Sequence, residues 1–94
     1  MVIGALEVKI SIMGARSLKE KRKVLKSLKD RYAKMNVSVA EVDDQDKWQA
    51  STIAFAVVSN DSVFINSVLD RIVHGFTEHP ELELIGHHAE IMHI

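Results

Sequence analysis

From Val2 to Ile12 the chain alternates strictly: Val2, Gly4, Leu6, Val8, Ile10 and Ile12 interleave with Ile3, Ala5, Glu7, Lys9 and Ser11. Successive strand residues point to opposite faces, so this period of 2 describes a long strand with one buried side. After the turn Gly14-Ala15-Arg16 the apolar spacing lengthens to about 3.6, which is a helix. That switch of period recurs along the chain and limits the fold more than any other feature. Ser17 followed by Glu20 is a capping box, in which the hydroxyl and the carboxylate satisfy orphan amides at a helix start. The helix it opens extends to Lys34. Asn36 to Asp43 and Thr52 to Ser59 are rich in Val, Ile, Ala and Phe, and the polar segment 44–49 between them predicts a hairpin. Asn60 or Asp61 caps a second helix, with Ile65, Val68, Leu69, Ile72 and Phe76 on one side, which must end before Pro80. Leu82 to Ile94 reads as a last strand.

The order β-α-β-β-α-β predicts an α+β, ferredoxin-like domain over residues 1–94: a four-stranded antiparallel sheet with two helices on one face. The registers place Ala5, Glu7, Lys9, Ser11, Thr52, Ala54 and Ala56 on the open sheet face. Ile53, Phe55 and Val57 turn toward the helices. Ninety-four residues suffice for one core without staples. The absence of cysteine excludes disulfides, thiolate nucleophiles and Cys-ligated zinc. No apolar run approaches the roughly 18 residues of a membrane span, and Glu7 and Lys9 interrupt the apolar start where an export signal needs its core. A cytoplasmic protein without membrane contact is expected.

Charge is distributed very unevenly. Residues 17–34 hold eight of the twelve Lys and Arg against Glu20 and Asp30, a local charge of +6, whereas the other 76 residues sum to −7. Stepping about 100° per residue from Leu18 puts Leu25, Leu28 and Tyr32 in an apolar wedge within about 80°. Lys19, Arg22, Lys23, Lys26, Lys29 and Lys34 fall in one stripe on the other side. Like charges three and four apart repel by a few tenths of a kcal/mol per pair, and cations near a helix N-terminus oppose its dipole. Such a stripe is either a solvated face or a surface for an anionic partner: a phosphate backbone or an acidic protein.

Lys21 belongs to neither side, since the same arithmetic sets it inside the apolar wedge. Its stem either snorkels over the sheet end to solvent or a carboxylate, or aims a partly desolvated ammonium at an anion near Gly14-Ala15-Arg16-Ser17. Trp48, the sole Trp, lies in the hairpin segment and is expected to pack over the hydrophobic edge; exposed, it would instead be an anchor for a partner. Phe64 is expected at the core's edge. Asp43, Asp44 and Asp46 lack the glycine and terminal Glu of a calcium loop. His87 and His93 share a strand face but lie roughly 20 Å apart along it, so no metal site is expected. No cofactor is implied either.

The runs Ser17-Leu18-Lys19-Glu20-Lys21-Arg22, Lys26-Ser27-Leu28-Lys29-Asp30-Arg31, residues 36–43 and Val57-Val58-Ser59-Asn60-Asp61 resemble the bacterial YlxP-like family, a domain of unknown function. Gln45-Asp46 and Trp48-Gln49 fit its hairpin, and the likeness spans nearly the whole chain. It implies a ferredoxin-like domain, frequently encoded beside translation initiation and ribosome-maturation factors, with no established catalytic residues. RNA or ribosome association is the partner this suggests. The histidine-rich end is not part of that pattern.

Three function classes follow. A module binding RNA or the ribosome would use Arg16, Lys19, Arg22, Lys23, Lys26 and Lys29 on phosphates, with Lys21 as a further anion contact. The first strand offers no aromatic and Phe55 faces inward, so the sheet-face stacking of an RNA-recognition motif is not expected. A homodimer, compatible with the first class, would bring together two open sheet faces through Ala5, Glu7, Lys9, Ala54 and Ala56, or pair edge strands. The third class is an enzyme resembling acylphosphatase, with Gly14-Ala15-Arg16-Ser17 where that family cradles phosphate. That family's longer glycine-valine loop and its asparagine motif are absent, and no catalytic constellation is expected.

Overall fold

The computed structural model describes residues 1–94, and its elements follow the predicted order: β1 Val2–Ile12, α1 Leu18–Ala33, β2 Ser38–Asp43, β3 Ala50–Ser59, α2 Ser62–Thr77 and β4 Leu82–His93. The strands form one antiparallel sheet in the order β2-β3-β1-β4, with one face left open. This is the ferredoxin-like arrangement. Helix α1 and β4 each end one residue short of expectation, at Ala33 and His93, and two strand starts move by two residues. Asn36 takes a left-handed conformation (φ 62°) just past α1, so β2 begins at Ser38 rather than at Asn36. The third strand starts two residues earlier than predicted, at Ala50, because β1 is long enough to pair Ser11 with Ala50.

The period-2 reading of β1 holds throughout, with Val2, Leu6, Val8, Ile10 and Ile12 buried toward the helices. Ile53, Phe55 and Val57 join them from β3, while Ala5, Glu7, Lys9, Ala54 and Ala56 lie on the other face. Gly4 is the one gap in this wall. A Cβ there would overlap Ile65 Cγ2, so the missing side chain is what lets α2 settle onto β1. The opposite end of the core is aromatic: Tyr32 of α1 stacks on Phe76 of α2 at 5.4 Å, and Phe55 meets both edge-on at 5.2 and 5.9 Å. Burial of the Tyr32 phenol raises its pKa above the ordinary tyrosine value, against a smaller opposing effect of the Arg31 charge.

Two bulges interrupt the ladders. Lys9 pairs with Gly86 and Ile10 with Leu84, which leaves Ile85 unpaired; Glu41 pairs with Ile53 and Asp43 with Thr52, which leaves Val42 unpaired. Both extra residues are exposed, and each bulge sharpens the local twist of an edge strand, a device that discourages edge-to-edge association. Beyond its bulge, β4 turns His87 and His93 to the helix side opposite Val8 and Val2. They share a face, six residues apart.

Candidate nucleic-acid interface

Helix α1 starts as the sequence requires, with one difference. The Ser17 hydroxyl accepts from the Glu20 amide at 3.1 Å, but the Glu20 carboxylate accepts from the Arg16 amide at 2.6 Å instead of from Ser17 itself. The box therefore reaches one residue further back and fixes Arg16 against the first turn.

The core side of α1 consists of Lys21, Leu25, Leu28 and Tyr32; Leu18, expected there, is only half-buried. Lys21 is 1% exposed. Its ammonium lies 2.9 Å from Glu41 Oε2 on β2 and donates to the Asp44 carbonyl oxygen at 2.5 Å. The Ser51 hydroxyl of β3 donates to the same Glu41 oxygen at 2.6 Å. The four methylenes of Lys21 thus fill a core position while its charge is matched inside the fold. This corrects the alternative of Lys21 as an anion contact: the ammonium is buried at the end of the β2–β3 hairpin, and Glu41 and the Asp44 carbonyl already occupy it.

The other α1 bases stand in the opposite situation. Lys19, Arg22, Lys23, Lys26, Lys29, Arg31 and Lys34 are all exposed, as is Arg16 before the helix. Of the chain's twelve Lys and Arg, only Lys21 and Lys47 pair with a carboxylate. Lys23, Lys26, Asp30, Arg31 and Lys34 border a shallow depression of about 460 Å³ on the helix surface. Arg31 lies outside the stripe that helical arithmetic defines, and only the structure brings it to this depression. Its three-residue spacing from Lys34 was the available signal. Arg16, Lys19, Arg22 and Lys29 are exposed but do not border that depression, so the predicted set is spread along the helix and not gathered in one pocket.

The hairpin tip lies against the start of α1. Asp44 adopts φ 61° at the turn, and a hydrogen bond from Lys47 at 3.1 Å holds its carboxyl below the usual aspartate range. Lys47 is raised in return by the same contact. The Gln49 side chain donates to the Ala15 carbonyl at 2.9 Å, and the Gln49 carbonyl accepts from the Ile12 amide at 2.9 Å. Trp48, expected to pack, is 53% exposed instead. Its neighbour Gln49, also exposed, makes the bonds that fasten the tip. Phe64 likewise departs from its expected core-edge position and is half exposed beside the more exposed Val63 at the start of α2.

The open sheet face has two shallow hollows. One, of about 370 Å³, is bordered by Glu7, Lys9, Asp43, Thr52, Gly86 and His88. The other, of about 190 Å³, lies among Ala5, Ala54, Glu7, His88 and Glu90. No Phe, Tyr or Trp side chain is exposed on this face, since Phe55 is buried against Tyr32 and Phe76, and its exposed ring is the His88 imidazole, held 3.3 Å from Glu90.

The family described as a protein of unknown function, DUF503, matches residues 3–89. The chain belongs to this family. It is 40% identical over 83 residues to the uncharacterized protein YlxP of Bacillus subtilis, an alignment covering 87% of this chain and 90% of that protein. The matched residues include the basic helix, the Lys21–Glu41 pair and Trp48; His93 lies outside them.

Proposed function

We propose that the protein is a binding module that holds RNA, ribosomal or free, through phosphate contacts along the exposed side of α1. The observation that carries this reading is the set of exposed α1 bases with no intramolecular carboxylate. An unpaired row of like charges is destabilising for a helix, and phosphates neutralise it when RNA docks. Arg16, Lys19, Arg22, Lys23, Lys26 and Lys29 are the contacts assigned, with Arg31 added by its place beside Lys23 and Lys26. The open face exposes no Phe, Tyr or Trp, and its one exposed ring, His88, is engaged with Glu90, which favours contact with phosphates over reading of bases on the sheet.

Sedimentation with ribosomes and with purified RNA tests this. If five of these seven bases meet phosphates at once, the log–log salt slope on single strands is about −3.5, and the triple substitution Arg22→Glu, Lys26→Glu, Lys29→Glu abolishes co-sedimentation. Unchanged sedimentation of the triple variant refutes the assignment. A second reading, a homodimer through the open face, draws on the small residues Ala5, Ala54 and Ala56 at its centre, which allow close sheet approach. The same centrifuge run without RNA reads the mass at micromolar concentration, and a monomer removes that reading.

A further inference from the structure

The sheet face exposes no Phe, Tyr or Trp, but the hairpin tip exposes Trp48, and the tip is fastened to the start of the basic helix. Gln49 bonds Ala15 through its side chain, and its carbonyl accepts from the Ile12 amide. Lys21, from the first turn of α1, bonds the Asp44 carbonyl at the other side of the tip. Trp48 and Arg16 are therefore each one residue from a directly bonded pair, Gln49 and Ala15, and consecutive Cα atoms are only about 3.8 Å apart. Arg16 is itself fixed by its amide bond to Glu20. The exposed Trp48 is thus joined, through Gln49 and Ala15, to the turn from which the row of unpaired bases Arg16, Lys19, Arg22, Lys23 begins.

That juxtaposition of a π-face and a cationic track is what single-stranded nucleic acid needs: phosphates follow the bases while an unpaired base stacks on the aromatic ring. A duplex, whose bases are already stacked on one another, gains nothing from the ring. We propose that Trp48 is a base-stacking platform and that the partner bound along α1 is single-stranded RNA, or a single-stranded loop of a larger RNA. The inference rests on the RNA reading of α1 and adds the strandedness of the ligand. The charges at the tip agree with this division of labour. Asp46 is exposed two residues from Trp48, and Asp43 and Asp44 lie nearby, with Asp44 engaged by Lys47. Carboxylates repel phosphate, so the tip is suited to the base, and the phosphates belong on Arg16, Lys19 and Arg22.

Trp48 is the only Trp in the chain, so tryptophan emission reports on it alone. The experiment titrates the full chain with a mixed-sequence 12-nucleotide RNA and with the same RNA annealed to its complement. The single strand quenches Trp48 emission, and the duplex does not. Trp48→Ala weakens single-strand binding about tenfold, the scale of losing one stacked base, and leaves duplex binding unchanged. The salt slope stays the same in this variant, because every base on α1 still meets its phosphate. Trp48→Phe, which keeps a ring, restores most of the affinity, whereas Trp48→Leu does not. Single-strand affinity unaffected by Trp48→Ala, with emission unquenched, overturns the platform while the α1 reading stands. Equal losses on single strand and duplex also overturn it, since that pattern belongs to a distorted tip. Absence of binding to either RNA by the unsubstituted protein removes both proposals together. Quenching on ribosomes that persists after nuclease digestion assigns the tip to a protein partner and overturns the RNA platform.

Discussion

The two helices make an internal control for each other. Each is sixteen residues long, each lies on the same sheet face, and each is capped by a side chain, Ser17 for α1 and Asp61 for α2. Helix α2 does what folding alone asks: Ile65, Val68, Leu69, Ile72 and Phe76 are buried, and its charges amount to Asp70 and Arg71 with His74. Helix α1 gives one of its four buried positions to a lysine and loads its outer side with seven unpaired bases. Neither choice helps stability. A buried ion pair rarely outperforms hydrophobic residues of similar size, and like charges on one face repel. What the Lys21–Glu41 pair does provide is position, because it fixes the start of α1 against the end of the β2–β3 hairpin. The element that carries the candidate interface is thus located by a polar bond, and the element that only builds the core is located by apolar contact.

Breaking the polar anchor has the largest expected effect. Glu41→Ala leaves the Lys21 ammonium buried without its counter-charge and costs about 3 kcal/mol in urea unfolding. The double variant Lys21→Met, Glu41→Leu removes both charges and recovers most of that loss, because the requirement was for pairing rather than for charge itself. In the double variant the hairpin tip loses its registration on α1 and RNA affinity falls even though stability returns. A double variant that remains as unstable as Glu41→Ala contradicts this account of α1.

On the α2 side the matching test is steric. Gly4→Ala places a methyl against Ile65 and within 3.1 Å of Val57 Cγ1. Overpacking at such a site costs about 1–3 kcal/mol, read as a lower midpoint of urea unfolding. RNA affinity per folded molecule is unchanged, since nothing on α1 or the hairpin moves. A parallel loss of affinity means that the two helices are not separable in the way their chemistry indicates.

Most of the fold was legible in the sequence because periodicity reports which faces are buried. The alternation in β1, the Ser17 and Asp61 caps and the stop before Pro80 all operate within a few residues of one another, and all are found where local rules put them. The site was less legible, for reasons that are tertiary. Helical arithmetic could show that Lys21 faces inward, but its partner Glu41 lies twenty residues away on a strand whose register depends on the whole sheet. Trp48 departs from expectation because apolar character alone favours burial, whereas the tip is held to the fold by polar bonds, those of Gln49 to Ala15 and Ile12, that need no buried indole. Leu18 departs for a related reason: Lys21 fills the first-turn position that Leu18 was expected to share. Local spacing identifies the stripe; only the fold identifies what stands at its end.

The smallest expected effect is the most diagnostic, because it carries opposite signs for stability and for binding. Arg22→Glu places an acid four residues before Lys26, the favourable orientation for a helical pair, and three residues after Lys19. It also removes one positive charge near the N-terminal end, where the helix dipole disfavours cations. Stability therefore rises by a few tenths of a kcal/mol, measured as a higher unfolding midpoint at low salt, and the gain shrinks as salt screens it. RNA affinity falls at the same time, and the salt slope flattens by about 0.7 for the one phosphate that is no longer neutralised. The equivalent substitution on α2, Arg71→Glu, changes stability little and leaves RNA binding alone. If Arg22→Glu instead destabilises the helix, the stripe is already neutralised within the fold, and the reason for assigning α1 an anionic partner disappears.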